Sequence, residues 1–110
     1  MRSFGKLAII GGTLGIVLFG TFGFERAVPR VSIKGMKFSP AALEVKVGDT
    51  VRWENEDDRD HTVTAADGSF KSGNLRNGDT FEQKFDKAGN FAYSCSYHPR
   101  MKGSVNVSSK

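Results

Sequence analysis

Cys95, His98 and Met101 fall within seven residues, Cys-Ser-Tyr-His-Pro-Arg-Met, and a second histidine, His61, lies a strand-and-loop distance upstream. A thiolate, two imidazoles and one weak thioether make the donor set that holds copper in a trigonal His2Cys arrangement with a long axial Met, the kind of site that transfers electrons. On this reading Cys95, His61 and His98 bind in plane and Met101 caps them, for one type 1 copper per chain. Each residue alone has a blander reading: Cys95 as a small core residue, His61 as a satisfied strand histidine, Met101 as gap filler. Their joint spacing favours the metal.

Composition sharpens the argument. The chain has two histidines, one cysteine and three methionines, so the candidate site uses both imidazoles and the sole thiol. No intrachain disulfide can form. A c-type haem attachment, a four-ligand zinc knuckle and an iron–sulfur cluster all need cysteines that are not there. A multicopper oxidase needs further histidine clusters, and nothing remains for an enzyme to use: no spare histidine, and no serine–histidine arrangement independent of the copper set.

Something must position these donors. Of 110 residues, 1–26 differ in kind from 27–110. Arg2 and Lys6 precede an uncharged run over 7–24, LAIIGGTLGIVLFGTFGF, after which Glu25, Arg26 and Arg30 return the chain to water. That run is longer than an ordinary signal-peptide core and at the lower edge of what spans a bilayer as a helix. Residues 1–26 are therefore expected to be either a signal peptide or an uncleaved N-terminal membrane anchor helix, tethering the protein through residues 7–24. Either one exports the rest to a periplasmic or other extracytoplasmic location.

Residues 27–110 carry 13 basic and 11 acidic side chains, so half of the formal charge of +4 sits in the leader and the folded part is only slightly basic. No basic stripe interleaved with stacking aromatics is present, which argues against a nucleic-acid partner. Glu54, Glu56, Asp57, Asp58 and Asp60 crowd the segment before His61. They are either a solvated loop or a patch that steers a charged redox partner.

Alternation of period two dominates the exported part, and no amphipathic helix of ordinary length is evident. Leu43, Val45 and Val47 alternate with Glu44 and Lys46, Gly48-Asp49 turns the chain, and Val51 and Trp53 alternate with Arg52 and Glu54. Further strands are expected over 61–65, 80–85, 91–95 and 102–108, separated by Asp67-Gly68, Asn77-Gly78 and Ala88-Gly89-Asn90. Short strands at this spacing predict an all-β sandwich. Phe38, Trp53, Phe81, Phe85, Phe91 and Tyr93 are its expected core, with Met36 as a packing residue. Cys95 then ends one strand, and the turn holding His98 and Met101 leads into the last. Pro99 stiffens that turn, and His61 joins from a different strand.

With these residues in view, the run from Val31 to Val107 resembles the cupredoxins of the plastocyanin and amicyanin kind. The matching segments are Met36-Lys37-Phe38-Ser39-Pro40, the strand pair from Val45 to Asn55, His61, and Gly89-Asn90-Phe91-Ala92-Tyr93-Ser94-Cys95 running into His98-Pro99-x-Met101-x-Gly103. The resemblance implies an eight-stranded or similar Greek-key β-sandwich with copper at one end. Two departures stand out. Thr62 follows His61 where these families usually have Asn, a substitution expected to leave the fastening of the two ligand loops either weaker or taken over by another residue. Tyr97 stands where Pro is common, and its backbone N–H is expected to point at the Cys95 sulfur and raise the reduction potential.

The expected protein is thus a monomeric, non-enzymatic electron shuttle. A redox protein donor and acceptor would dock near His98, flanked by Tyr97, Pro99 and Arg100; Arg100 either selects an acidic partner or is simply solvated. The competing class is an exported copper-binding or copper-delivery protein without redox turnover. Delivery favours exposed, exchangeable thioether and imidazole ligands, whereas this chain offers one thiolate in a constrained loop.

Overall fold

The computed structural model describes residues 27–109. The leader expected over 1–26, with its anchor helix, lies outside the described residues. Among the described residues no helix is long and apolar enough to cross a membrane.

Eight strands follow in order: β1 (Arg30–Lys34), β2 (Lys37–Ser39), β3 (Ala42–Lys46), β4 (Thr50–Asn55), β5 (Thr64–Ala65), β6 (Thr80–Lys84), β7 (Gly89–Ser94) and β8 (Lys102–Ser108). They form two four-stranded sheets, β2-β1-β4-β6 and β3-β8-β7-β5. The expected all-β sandwich is what forms. Within each sheet one neighbouring pair is parallel, β1 with β4 and β3 with β8, and the others are antiparallel. A parallel pair cannot be closed by a hairpin, so the chain crosses between sheets, and these crossings bring distant residues to the same end.

The strand faces obey the period-two rule. In β4, Val51, Trp53 and Asn55 point inward between half-exposed neighbours, and Val105 and Val107 do so in β8. Trp53 stacks edge-on against Tyr93 with centroids 5.4 Å apart, and Tyr93 meets Phe38 at 4.7 Å. Burial pushes the Tyr93 hydroxyl up to about 12. Phe85 is buried as expected, while Phe81 and Phe91 are only partly covered. Gly103 is dictated by this packing, since a Cβ there would run into the Tyr93 ring.

One expectation is corrected. The segment 61–65 is not a continuous strand: only Thr64–Ala65 belongs to the sheet, and His61 forms an isolated bridge with Leu75. The chain leaves the ladder so that His61 can turn to the end of the sandwich. Met36 lies outside the buried core. It is 38% exposed and occupies, with Gly35, the two-residue turn joining β1 to β2, at φ angles of 61° and 62°. That turn needs two left-handed residues, and a methionine there pays about 1–2 kcal/mol.

Candidate metal centre

Period two also explains why Cys95 faces inward. It continues the alternation of β7 one residue beyond Ser94, on the same side as Tyr93, and is fully buried. The next six residues fold back through three backbone bonds. The His98 N–H donates to the Cys95 carbonyl (3.3 Å), the Met101 N–H to the His98 carbonyl (2.9 Å), and the Cys95 N–H to the Met101 carbonyl (3.2 Å). A loop closed on itself in this way carries Cys95, His98 and Met101 at one end of the sandwich. Met101 is buried and His98 is half-buried.

His61 arrives from the other side. Its N–H donates to the Leu75 carbonyl at 3.0 Å and its carbonyl accepts from the Leu75 N–H at 2.8 Å, which fixes its backbone although no strand continues through it. Its ring is buried, with Nδ1 3.7 Å from the Cys95 Sγ; the His98 Nδ1 lies 3.6 Å from the same sulfur. One nitrogen of each ring and the sulfur all fall within 4.8 Å of one another.

These separations fit a metal ion. First-row ions bond nitrogen at about 2.0 Å and thiolate sulfur at about 2.3 Å, so a nitrogen and a sulfur sharing one ion at a near-trigonal angle lie as far apart as these do. The donor chemistry, two imidazoles and one thiolate with a thioether on the same loop, fits copper. Every predicted site residue is therefore brought to one end of the molecule.

The sulfur has one further neighbour, and it is not the one expected. The backbone N–H of Thr62 points at the Cys95 Sγ at 3.4 Å; among the described residues Tyr97 makes no such bond. The Tyr97 side chain instead crosses the surface, where its hydroxyl donates to the Asn74 Oδ1 at 3.0 Å, and the Asn74 amide donates to Asp60. With a threonine at 62, the link between the ligand segments is shared with other residues. The Ser96 N–H donates to the Thr62 Oγ1 at 2.7 Å, and that hydroxyl bonds the Thr64 hydroxyl, which in turn bonds the Ser96 hydroxyl. Three short hydroxyl side chains thus join the two ligand segments.

Two residues near the site carry roles that composition does not reveal. Asp57, counted above with the acidic loop, is turned inward. Its carboxylate accepts from the Gly35 N–H (2.7 Å) and the Met36 N–H (3.0 Å), and its Oδ2 lies 2.8 Å from the His61 Nε2. Partial burial acts to raise its pKa, but the two backbone N–H groups and the His61 ring outweigh that and hold it below the ordinary carboxylate value. An ionised carboxylate only accepts, so the ring donates from Nε2 and leaves Nδ1 free to face the sulfur. Asn55 is buried and builds the loop around Asp57: its amide donates to the Arg59 and Leu75 carbonyls, and its oxygen accepts from the Asp57 N–H. An Asn at the end of an alternating apolar strand is the only sequence signal for this role.

Beside the centre, Met36, Tyr97, His98, Pro99, Arg100 and Met101 line a groove of about 430 Å³. Of the remaining acidic side chains, Glu54 pairs with Arg30 at 2.8 Å, and Glu56, Asp58 and Asp60 are exposed.

Comparison with known proteins agrees with this geometry. Residues 12–107 match the family model described as a cupredoxin-like domain. The chain is 34% identical over 82 residues to amicyanin of Paracoccus denitrificans, covering 70% of this chain and 63% of that protein. It is 36% identical over 87 residues to amicyanin-alpha of Methylorubrum extorquens, covering 70% and 69%. Among solved structures, a purple cupredoxin from Nitrosopumilus maritimus superposes with a TM-score of 0.68 at 34% identity, covering 73% of this chain and 99% of that one.

Proposed function

Since the chain belongs to the cupredoxin-like domain family, we propose that it is an exported one-electron carrier, with one type 1 copper per chain that His61, Cys95, His98 and Met101 would hold. The observation that carries this is the convergence of two ring nitrogens on one buried sulfur, 3.6 and 3.7 Å away, within a framework cross-braced by the hydroxyl set and the Leu75 bridge. Bound copper supplies a Cu(II)/Cu(I) couple. The residues supply constancy: Thr62 donates to the thiolate, the turn bonds of the 95–101 loop hold His98 and Met101, and a framework that keeps its shape keeps reorganisation small.

His98 is where electrons would enter and leave. It is half-buried where His61 is sealed, and it opens onto the groove with Met36, Tyr97 and Pro99. Donor and acceptor are redox proteins that dock on this face. Arg100 lines the groove and Lys102 an adjoining pocket; neither makes an ion pair among the described residues, which suits a partner with an acidic rim. Export follows from the sequence of 1–26.

Electrochemistry on the copper-loaded protein tests the proposal against copper delivery. A carrier gives a reversible one-electron couple and exchanges electrons with a redox protein many times without losing metal. A protein that transfers its copper to an apo-acceptor and shows no reversible couple is a delivery protein.

A further inference from the structure

Asp57 lies outside the four proposed ligands, yet it is the one charged side chain among the described residues bonded to any of them. Its position is over-determined. The Asp57 N–H is held by the buried Asn55 side chain (2.9 Å), and its carbonyl accepts from the Asn77 amide (2.8 Å). Its carboxylate then takes three donors: Gly35 N–H, Met36 N–H and the His61 ring. The carboxyl is 13% exposed and His61 not at all, so water screens this contact little. The two imidazoles consequently differ. The His61 Nε2 faces a negative charge at 2.8 Å, whereas the His98 Nε2 has no bonded partner among the described residues.

We propose that Asp57 is a positioning residue that lowers the reduction potential of the copper site, acting through the ring of His61. This rests on the copper reading above and deepens it. A ring that donates from one nitrogen to a carboxylate becomes a stronger donor at the other, and its tautomer and orientation are fixed. Added negative charge and a stronger donor both favour the more highly charged Cu(II) over Cu(I), so the sign is a lower potential. The competing account makes Asp57 only a clamp for the left-handed Gly35-Met36 turn. The two can be separated because the turn can be relieved independently: Met36→Gly removes the residue that resists a positive φ.

The experiment compares copper-loaded wild type, Asp57→Asn, Met36→Gly and the double variant, reading midpoint potential, visible spectrum and thermal midpoint. Asn keeps the size and an acceptor oxygen but loses the charge. The inference expects Asp57→Asn to keep the thiolate-to-copper band while its preference for Cu(II) over Cu(I) falls at least about tenfold, which for a one-electron couple is an upward shift of about 59 mV. The same shift is expected on the Met36→Gly background, which also serves if the single variant folds poorly. A potential unchanged in both backgrounds, with only the thermal midpoint lowered and Met36→Gly restoring it, overturns the inference and leaves the clamp. A wild-type protein that forms no such band overturns the copper reading, and this inference with it.

Discussion

His61 and His98 hold the same ring nitrogen against the same sulfur at nearly the same distance, 3.7 and 3.6 Å, but they are built in opposite ways. His61 is sealed from solvent, bridged through both backbone groups to Leu75, and tied at its far nitrogen to Asp57. His98 is held by turn bonds within its own loop, and it lines the groove. On the proposed function, one histidine is an anchor and the other a contact. A site that must keep its shape and still reach a partner cannot get both properties from one residue, and the sandwich divides them between a bridge position and a loop.

The sharpest way to break this contrast is to delete each ring in turn. His98→Gly opens a hole to the surface, so added imidazole should restore the visible band of the copper-loaded protein. His61→Gly leaves a buried gap beside an Asp57 that has lost its ring partner, and imidazole should fail there. Equal rescue at both positions would show that the sites are equivalent.

A smaller effect is expected from Thr62→Ala, which strips the hydroxyl that receives the Ser96 N–H. The lost bond leaves a partly buried donor unsatisfied and should lower unfolding free energy by about 1–3 kcal/mol, measured by denaturant titration, while Thr62→Asn should recover most of it. Smaller again is Tyr97→Phe. It removes an exposed bond to Asn74 and should change stability by about 0.5 kcal/mol or less, with the visible spectrum unmoved. A displaced band would mean that the His98 loop depends on this surface strap after all.

What was legible in the sequence follows the same division. Cys95, His98 and Met101 are close in the chain, so their spacing alone puts them on one loop, and His61 is the only other imidazole available. The strand alternation from Leu43 to Trp53 faithfully marks which side chains face inward. The supports were not legible, because they depend on where short polar side chains point across segments distant in sequence. Asp57 looks like one acid among five, and nothing local shows that it turns toward Gly35, Met36 and His61. Thr62 looks like a deficient Asn until Thr64 and Ser96 are placed beside it. The left-handed Met36 is hidden for another reason: Gly-Met lacks the Asn-Gly or Asp-Gly signature of a two-residue hairpin, and the bonds that hold it come from 21 and 22 residues away. The expected strand over 61–65 failed because apolar alternation cannot show that His61 leaves the ladder.

The central claim is that one thiolate and two imidazoles would together hold a single copper. The most direct measurement is a Cu(II) titration of the protein and of Cys95→Ser, followed by visible absorption. The account predicts an intense thiolate-to-copper band in the native protein that saturates at one copper per chain and is absent from Cys95→Ser. A native protein that binds copper with no such band, or a band that survives loss of the Cys95 sulfur, would contradict it.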